Sequence, residues 1–365
     1  MQICFPQNRK HVDLGDEIQC RNGPIQLIGQ NTMKCGKRIS VGLAAVVVVA
    51  LLAACSNPRA APTGNGDGGL DVIRIGLPAA GYGPYLPVYA AEAEGYFKAN
   101  GIKAEITVYQ GGGAATEALS AGEADLISYN PAGVAVAQAR GVDIQMVAAG
   151  LPTSAGWYIE VPTDSPAKSV ADLAGKQVGI GNAGGTGEFF ALWAAQQAGT
   201  TWENVSLGYG ALNDSLVQGT VAAIVQLPSL SYALPVSGKA RVLLDLGKAM
   251  DPTIPDGWVV PKSSAEDPHK ADVIARTLKA IYAGVGKLQS DRGYALKQIE
   301  AQEKITGDQA VQEYENTIMA LSTDGVIDPK WIQNALDLAH TAGLDRDVTL
   351  PPAKDIFTDA FAPAN

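Results

Sequence analysis

Leu119, Gly122, Ile127 and Pro131 recur as Leu216, Gly219, Ile224 and Pro228, each 97 residues further along the chain. The two segments, LSAGEADLISYNP and LVQGTVAAIVQLP, each read as a helix end, a glycine stop, a strand and a proline that suits the first turn of a new helix. A chain that builds the same unit twice points to a duplicated plan. Four common residues can also coincide by chance, so the wider pattern has to agree. From Val72 onward, short β-branched or apolar runs alternate with Ala-rich stretches of helical length, which argues for α/β architecture built from βα units.

The first set of units predicts strands at 72–77, 104–109, 124–129 and 143–149, with helices at 86–97, 114–121 and 131–140. The second set opens with Ser169 as the cap of a short helix to Leu173. It continues with strands at 177–181, 205–209 and 222–226 and helices at 188–198 and 212–218. A short strand at 257–260 follows. Four helical stretches, 271–288, 293–304, 308–321 and 329–342, are then expected to pack back on the first set.

The N-terminal 55 residues pose a different problem. From Met33 the chain reads MKCGKRISVGLAAVVVVALLAAC, with Lys34, Lys37 and Arg38 ahead of an uncharged run of 16 residues from Ile39 to Ala54. That is the charged n-region and apolar h-region of an export signal. The run falls short of the about 20 residues that span a bilayer as a helix, and cleavage is expected after Ala53 and Ala54. Residues 1–32 hold no second apolar run and read as an upstream start. The precursor's mass checks this, because initiation at Met1 adds 32 residues to a signal that begins at Met33. Residues 55–71, rich in Pro, Gly and Asn, read as a flexible tether.

The cysteines are Cys4, Cys20, Cys35 and Cys55, so a body that starts at Cys55 has no disulfide, no thiol nucleophile and no cysteine pair for zinc; no metal is expected. The whole chain sets 27 Lys and Arg against 37 Asp and Glu, a net charge of −10. Removing residues 1–54 takes away six basic and three acidic groups and leaves −13. With no segregated basic patch, that balance excludes nucleic acid as a partner.

Catalytic motifs are lacking. There is no HExxH, GxSxG or Walker lysine pattern, and His269 and His340 sit at a helix start and in a C-terminal helix, where surface or capping roles fit. Glu123 and Asp125 share a face of an alternating strand but lie at the sheet's N-terminal edge. Ligands in such sheets bind at the opposite, C-terminal ends of the strands. Those turns hold Tyr82 and Tyr85; Gln110, Gly111 and Gly112; Ser128, Tyr129 and Asn130; Gly184, Gly185, Thr186 and Gly187; and Gln226 with Ser229. Together they offer hydroxyl, amide, aromatic and backbone N–H groups without formal charge, a set suited to orienting a ligand rather than to acid–base work. Each tyrosine on its own also fits a packing role. The run GNAGGTG, which feeds a helix, can cradle an anion on backbone N–H groups or simply make a tight turn, and the residues leave both open. Glu188, at the start of that helix, either caps the turn or meets a ligand amine.

The run IRIGLPAAGYGPYLPVYAAEAEGYFKANGIKAEITVYQGGG, with Gly122-Glu123-Ala124-Asp125 after it, resembles the first lobe of solute-binding proteins for nitrate, sulfonates, taurine and thiamine-precursor pyrimidines. DLAGKQVGIGNAGGTGEFFALWAAQQAG looks like the opening of the second lobe, and Gly325-Val326-Ile327 with Trp331 also fits, so the similarity covers about residues 72–345. Leu52-Ala53-Ala54-Cys55 resembles the lipobox of bacterial lipoproteins, in which Cys55 carries the lipid.

This resemblance implies an α/β, two-lobed periplasmic-binding-protein-like type II fold with two crossing strands at the hinge, near Trp157–Pro162 and Gly257–Pro261. Lobe 1 is then 72–160, lobe 2 is 161–258, and 259–365 return to lobe 1. It further implies a monomer without cofactor that captures a small-molecule solute for an ABC permease and its ATPase. The protein would be exported and lipid-anchored on the outer face of the cytoplasmic membrane or in the periplasm. Helix N-termini favour a sulfonate or taurine-like solute; tyrosines with Trp157 and Trp258 favour a flat aromatic such as a pyrimidine. A lipoprotein that binds a protein or polymer in a wide groove is a third reading. Relatives that synthesise a pyrimidine carry a Cys-rich motif, which this body lacks. Two departures stand out: Ala222 occupies a place where the family commonly has Asp, and the candidate pocket has no Arg or Lys, which weighs against strongly anionic solutes.

Overall fold

The computed structural model describes residues 69–361; the expected export signal, Cys55 and most of the expected tether lie outside the described residues. The first sheet draws on β1 (Asp71–Leu77), β2 (Ile102–Val108), β3 (Leu126–Tyr129) and β4 (Ile144–Leu151), with α1 (Leu86–Ala93), α2 (Tyr96–Ala99), α3 (Gly112–Ser120) and α4 (Pro131–Ala139) between them. The second comprises β5 (Tyr158–Pro162), β6 (Gln177–Ile180), β7 (Glu203–Ser206), β8 (Ala223–Gln226) and β9 (Ala240–Asp245), with α5 (Thr186–Gln197), α6 (Tyr209–Val217), α7 (Ala233–Val236) and α8 (Leu246–Ala249). The chain then returns through β10 (Asp256–Pro261) to α9 (Lys262–Glu266), α10 (Pro268–Ser290), α11 (Arg292–Glu303), α12 (Gly307–Asn316) and α13 (Pro329–Thr341).

The sheet orders are β2-β1-β3-β10-β4 and β7-β6-β8-β5-β9, five strands each on one plan. In the first, β1 runs parallel to β2 and β3, and β10 is antiparallel to β3 and β4. In the second, β6 runs parallel to β7 and β8, and β5 is antiparallel to β8 and β9. The fourth place in each sheet is thus filled by the strand that has just crossed from the other lobe. Strands β3 and β8, the two halves of the 97-residue recurrence, are buried along their whole lengths, as befits strands covered on both faces.

The expected boundaries shift accordingly. The crossings are residues 152–157 and 246–255, irregular or briefly helical, and the segments expected to cross are instead strands inside the sheets: β5 in the second, β10 in the first. Strand β9 was not read from sequence, because Arg241 interrupts its apolar run and it lies at a sheet edge with much of its surface accessible. The expected helix 86–97 is two helices, broken at Gly95, whose φ of +72° is a left-handed conformation that favours glycine.

Helix α10 lies against α1, α2 and the first sheet. Val273, Ile274, Thr277, Leu278, Ile281, Gly284, Val285 and Leu288 make its buried stripe, at helical spacing. Gly284 lets it close on α1, because a Cβ there would overlap the Pro87 carbonyl. Asp267 caps its start, accepting from the His269 and Lys270 N–H groups at 3.0 and 2.9 Å. The C-terminal helices do more than return to the first lobe. Helix α13 packs on both α4 and α5, and α12 reaches α7 and the turn Leu230–Tyr232, so both helices also touch the second lobe. No helix among the described residues is long and apolar enough to cross a membrane.

Candidate functional site

The C-terminal ends of the strands of both sheets meet around a cavity of about 30 Å³. The first lobe lines it with Pro78, Ala79, Tyr82, Tyr85, Gly111, Gly112, Ser128, Tyr129 and Asp256. The crossing adds Trp157, and the second lobe adds Asn182, Gly185, Thr186, Tyr209 and Leu227. A space of this size holds on the order of two waters, so it suits a compact solute that enters when the lobes part.

Of the expected ligand residues, Tyr82, Tyr85, Gly111, Gly112, Ser128, Tyr129, Gly185 and Thr186 lie on this wall. The other six do not, and each has a different employment. Gln110 is exposed at the surface. Gln226 is fully buried beneath the wall and donates to Asn213 Oδ1 at 2.9 Å and the Tyr209 carbonyl at 3.3 Å, propping α6. Gly187 is buried close to the Tyr209 hydroxyl, where a Cβ would come within 3.0 Å. Asn130 caps α4, accepting from Gly133 N–H at 2.8 Å, and reaches across the seam to donate to Thr186 Oγ1 at 3.0 Å. The Gly184 carbonyl accepts from the Tyr129 hydroxyl at 2.9 Å, a second link across the seam. Ser229 forms a third, donating to the Gly81 carbonyl at 2.9 Å. Reading turns from sequence could not separate a residue that faces a ligand from one that faces the opposite lobe.

The GNAGGTG turn resolves into parts. Gly184 has a φ of +71°, the left-handed residue of the turn, and Gly185 sits one position before α5. Glu188 takes the capping role, accepting from Gly184 N–H at 2.6 Å. Gly112 and Gly133 flank the Tyr129 ring so tightly that a Cβ on either would overlap it. Gly133→Ala is therefore expected to displace that ring and cost about 1–3 kcal/mol by overpacking, read as a lower thermal midpoint. An unchanged midpoint would mean that Tyr129 is free to move.

Seven lining residues fall outside the expected set, and the most consequential is Asp256. Its carboxylate is 6% exposed and accepts hydrogen bonds from the hydroxyls of Tyr82, of Tyr85 at 3.0 Å and of Ser128 at 3.2 Å. Burial pushes its pKa up to about 6 in spite of those three donors. The same burial raises Tyr82 and Tyr85 well above the ordinary phenol value and Tyr129 to about 12, so these hydroxyls are neutral donors at neutral pH. No local signal marks Asp256, which precedes the apolar run GWVVP just as Lys262 follows it. Trp157 was expected at the crossing but not on the wall, where it stacks edge-on with Tyr82, Phe190 and Tyr209 at centroid distances of 6.1, 5.2 and 6.1 Å. Its indole N–H has no acceptor among the described residues. Trp258 is buried within β10 and does not line the cavity. Tyr209, read as a strand end, instead begins α6, and Asn182 packs against Gly111.

Acidic residues elsewhere behave structurally. Asp125 pairs with Arg74 at 2.6 Å, away from the cavity. His269 and His340 are exposed beside Asp71 and Asp345.

A family profile described as NMT1/THI5 like matches residues 84–281. No curated protein matches the sequence. Among solved structures, the alkanesulfonate-binding protein SsuA from Xanthomonas axonopodis pv. citri bound to MOPS superposes with a TM-score of 0.65 at 21% identity, over 77% of this chain and 97% of that one. The periplasmic aliphatic sulphonate binding protein SsuA from Escherichia coli does so at 0.65 and 20%, over 79% and 97%. The desulfurization enzyme DSZB is also similar, at 0.55 and 13%, over 80% and 97%. At these identities the likeness is one of fold, the two-lobed periplasmic-binding-protein architecture.

Proposed function

Because the chain belongs to the NMT1/THI5-like family, we propose that it is a solute-binding protein of an ABC importer that captures a compact organic solute between its lobes. The observation that carries this reading is the cavity itself. It is lined from both lobes and the crossing by hydroxyls, aromatic rings and the first residues of α3 and α5, so a solute seated there touches both lobes and favours the closed form. The described wall has no cysteine, histidine or lysine, which supports binding over the chemistry of an enzyme sharing this fold. Nor is it the wide groove that a protein or polymer would need.

A sulfonate or taurine-like solute is the favoured class, because the N-termini of α3 and α5 offer backbone N–H groups and the positive ends of helix dipoles. The ring wall of Tyr82, Tyr85, Trp157 and Tyr209 favours a flat pyrimidine as the second reading. In this proposal the protein is exported, held to the membrane through Cys55, and presents its solute to a permease driven by an ATPase.

The test is thermal melting against sulfonates, taurine, nitrate, pyrimidines and aromatic acids. A ligand at 100 times its Kd adds about 2.7 kcal/mol, whereas a panel without any shift speaks against the reading. Gly185→Asp locates the site. Gly185 has an ordinary φ of −97°, and a Cβ there meets the Asn182 carbonyl oxygen at 3.2 Å, a tight contact that asks the turn to shift slightly, so the thermal midpoint of the unliganded variant is measured beside its affinity. A carboxylate at the start of α5 is expected to cut affinity for an anionic solute by roughly 100-fold or more, and unchanged affinity would remove this turn from the site.

A further inference from the structure

We propose that Asp256 selects for a solute that carries a protonated nitrogen, and that solutes matched in shape but lacking that nitrogen are rejected. This deepens the solute-binding reading and rests on it.

Asp256 is the one carboxylate on the cavity wall, and no Lys, Arg or His lines the cavity with it among the described residues. A buried carboxylate is ordinarily paired with a cation, because hydrogen bonds from neutral groups recover only part of the hydration it gives up. Here the partners are neutral hydroxyls: Tyr82, Tyr85 and Ser128 hold both oxygens in place without neutralising the charge. Those bonds also fix the group rigidly at the wall, as a recognition element requires. The missing countercharge can come from the solute.

The surroundings have the same sign. Tyr82, Tyr85, Trp157 and Tyr209 all line the space, and aromatic faces attract a cation. A simple anion would instead share a cavity of about 30 Å³ with a fixed negative charge, and like charges held close in such surroundings repel. A zwitterion reconciles the two ends of the site: its ammonium faces Asp256, and its anionic end faces the N-termini of α3 and α5.

The test uses matched pairs that exchange an ammonium for a hydroxyl. Taurine and isethionate form the sulfonate pair; the 5-aminomethyl and 5-hydroxymethyl forms of 4-amino-2-methylpyrimidine form the aromatic pair. Calorimetric titration of the purified protein is expected to show at least a 30-fold preference for the amine member of one pair. Asp256→Asn keeps one acceptor oxygen, puts an NH2 donor in place of the other and removes the charge. It is expected to bring that preference to within threefold. Acidification is a second readout. The titratable groups facing Asp256 are Tyr82 and Tyr85, with Tyr209 and Tyr129 further along the wall, and all remain neutral phenols below pH 8. The preference is therefore expected to fade below about pH 6 in the wild type and to be flat in Asp256→Asn. Equal binding of amine and hydroxyl members, or a preference that survives Asp256→Asn, overturns this inference while the solute-binding reading stands. Binding of no member of either pair overturns this inference, and the solute-binding reading falls with it only when the wider panel also gives no shift.

Discussion

Raising the pH from about 5.5 to about 8.5 is expected to destabilise the protein by on the order of 3 kcal/mol. The cause is a pair of glutamates in the seam behind the cavity. Glu313 is fully buried, with Oε2 accepting from the Thr317 hydroxyl at 3.0 Å and Oε1 without a partner among the described residues. Glu303 is 6% exposed, and neither of its carboxylate oxygens has a close hydrogen-bond partner among the described residues. Burial pushes Glu313 from 4.5 up to about 8 and Glu303 well above its ordinary value, where repulsion from Glu313 adds to the rise. Between those limits the folded chain holds a proton that the unfolded chain has released. Stability is therefore complete below about pH 4.5 for this group and is lost as the pH rises through about 8. Asp256 and Glu160, also raised by burial, act with the same sign. Glu313→Gln is expected to flatten the dependence and to melt higher than the wild type at the alkaline end. Thermal midpoints that coincide at the two pH values would show that these carboxyls reach water or a cation in solution.

Trp157→Ala is expected to cost about 3 kcal/mol, the low end for truncating a buried tryptophan, and to lower the thermal midpoint by roughly 6–10 °C. The side chain is 2% exposed and is the keystone of the cavity wall, touching Tyr82 of the first lobe and Phe190 and Tyr209 of the second. The low end is chosen because its indole N–H has no acceptor among the described residues, and removing an unsatisfied buried donor offsets part of the lost packing. Trp157→Phe separates the two contributions. It keeps a ring and discards the orphan donor, so its cost is expected to stay within about 1.5 kcal/mol. Solute affinity should fall further in Trp157→Ala than in Trp157→Phe, because only the former opens the wall. Equal stability of wild type and Trp157→Ala by denaturant unfolding would contradict the central packing role.

The architecture was legible because its signals are local and repeated. Strands β3 and β8 were read nearly in place, since each lies between a glycine stop and a proline-led turn. The Ser169 cap was legible for a similar reason, and the structure gives it a reciprocal partner in Asp172. The edge strand β9 escaped because a half-exposed strand needs little apolar periodicity to hold its place.

The site was legible only as a set of turns. Asn130, Gly184 and Ser229 stand in strand-end turns just as Ser128 and Gly185 do, yet they bind the opposite lobe rather than line the cavity. Periodicity places a residue on an element, but which neighbour its side chain meets depends on how two lobes close. Asp256 makes the point most sharply. It lies 128 residues or more from each of the hydroxyls that hold it, so nothing near it in the chain announces its role. By itself the sequence determined the duplicated α/β plan, the strand-end turns as the region of the site, and the lack of catalytic motifs, because these follow from spacing and residue type. Tertiary structure alone decided which turn residues face the cavity, which bolt the lobes together, and that a buried carboxylate stands among neutral donors. Those are properties of pairs brought together by closure, and the energies that govern them, desolvation and hydrogen bonding at a fixed distance, do not exist until the chain has folded.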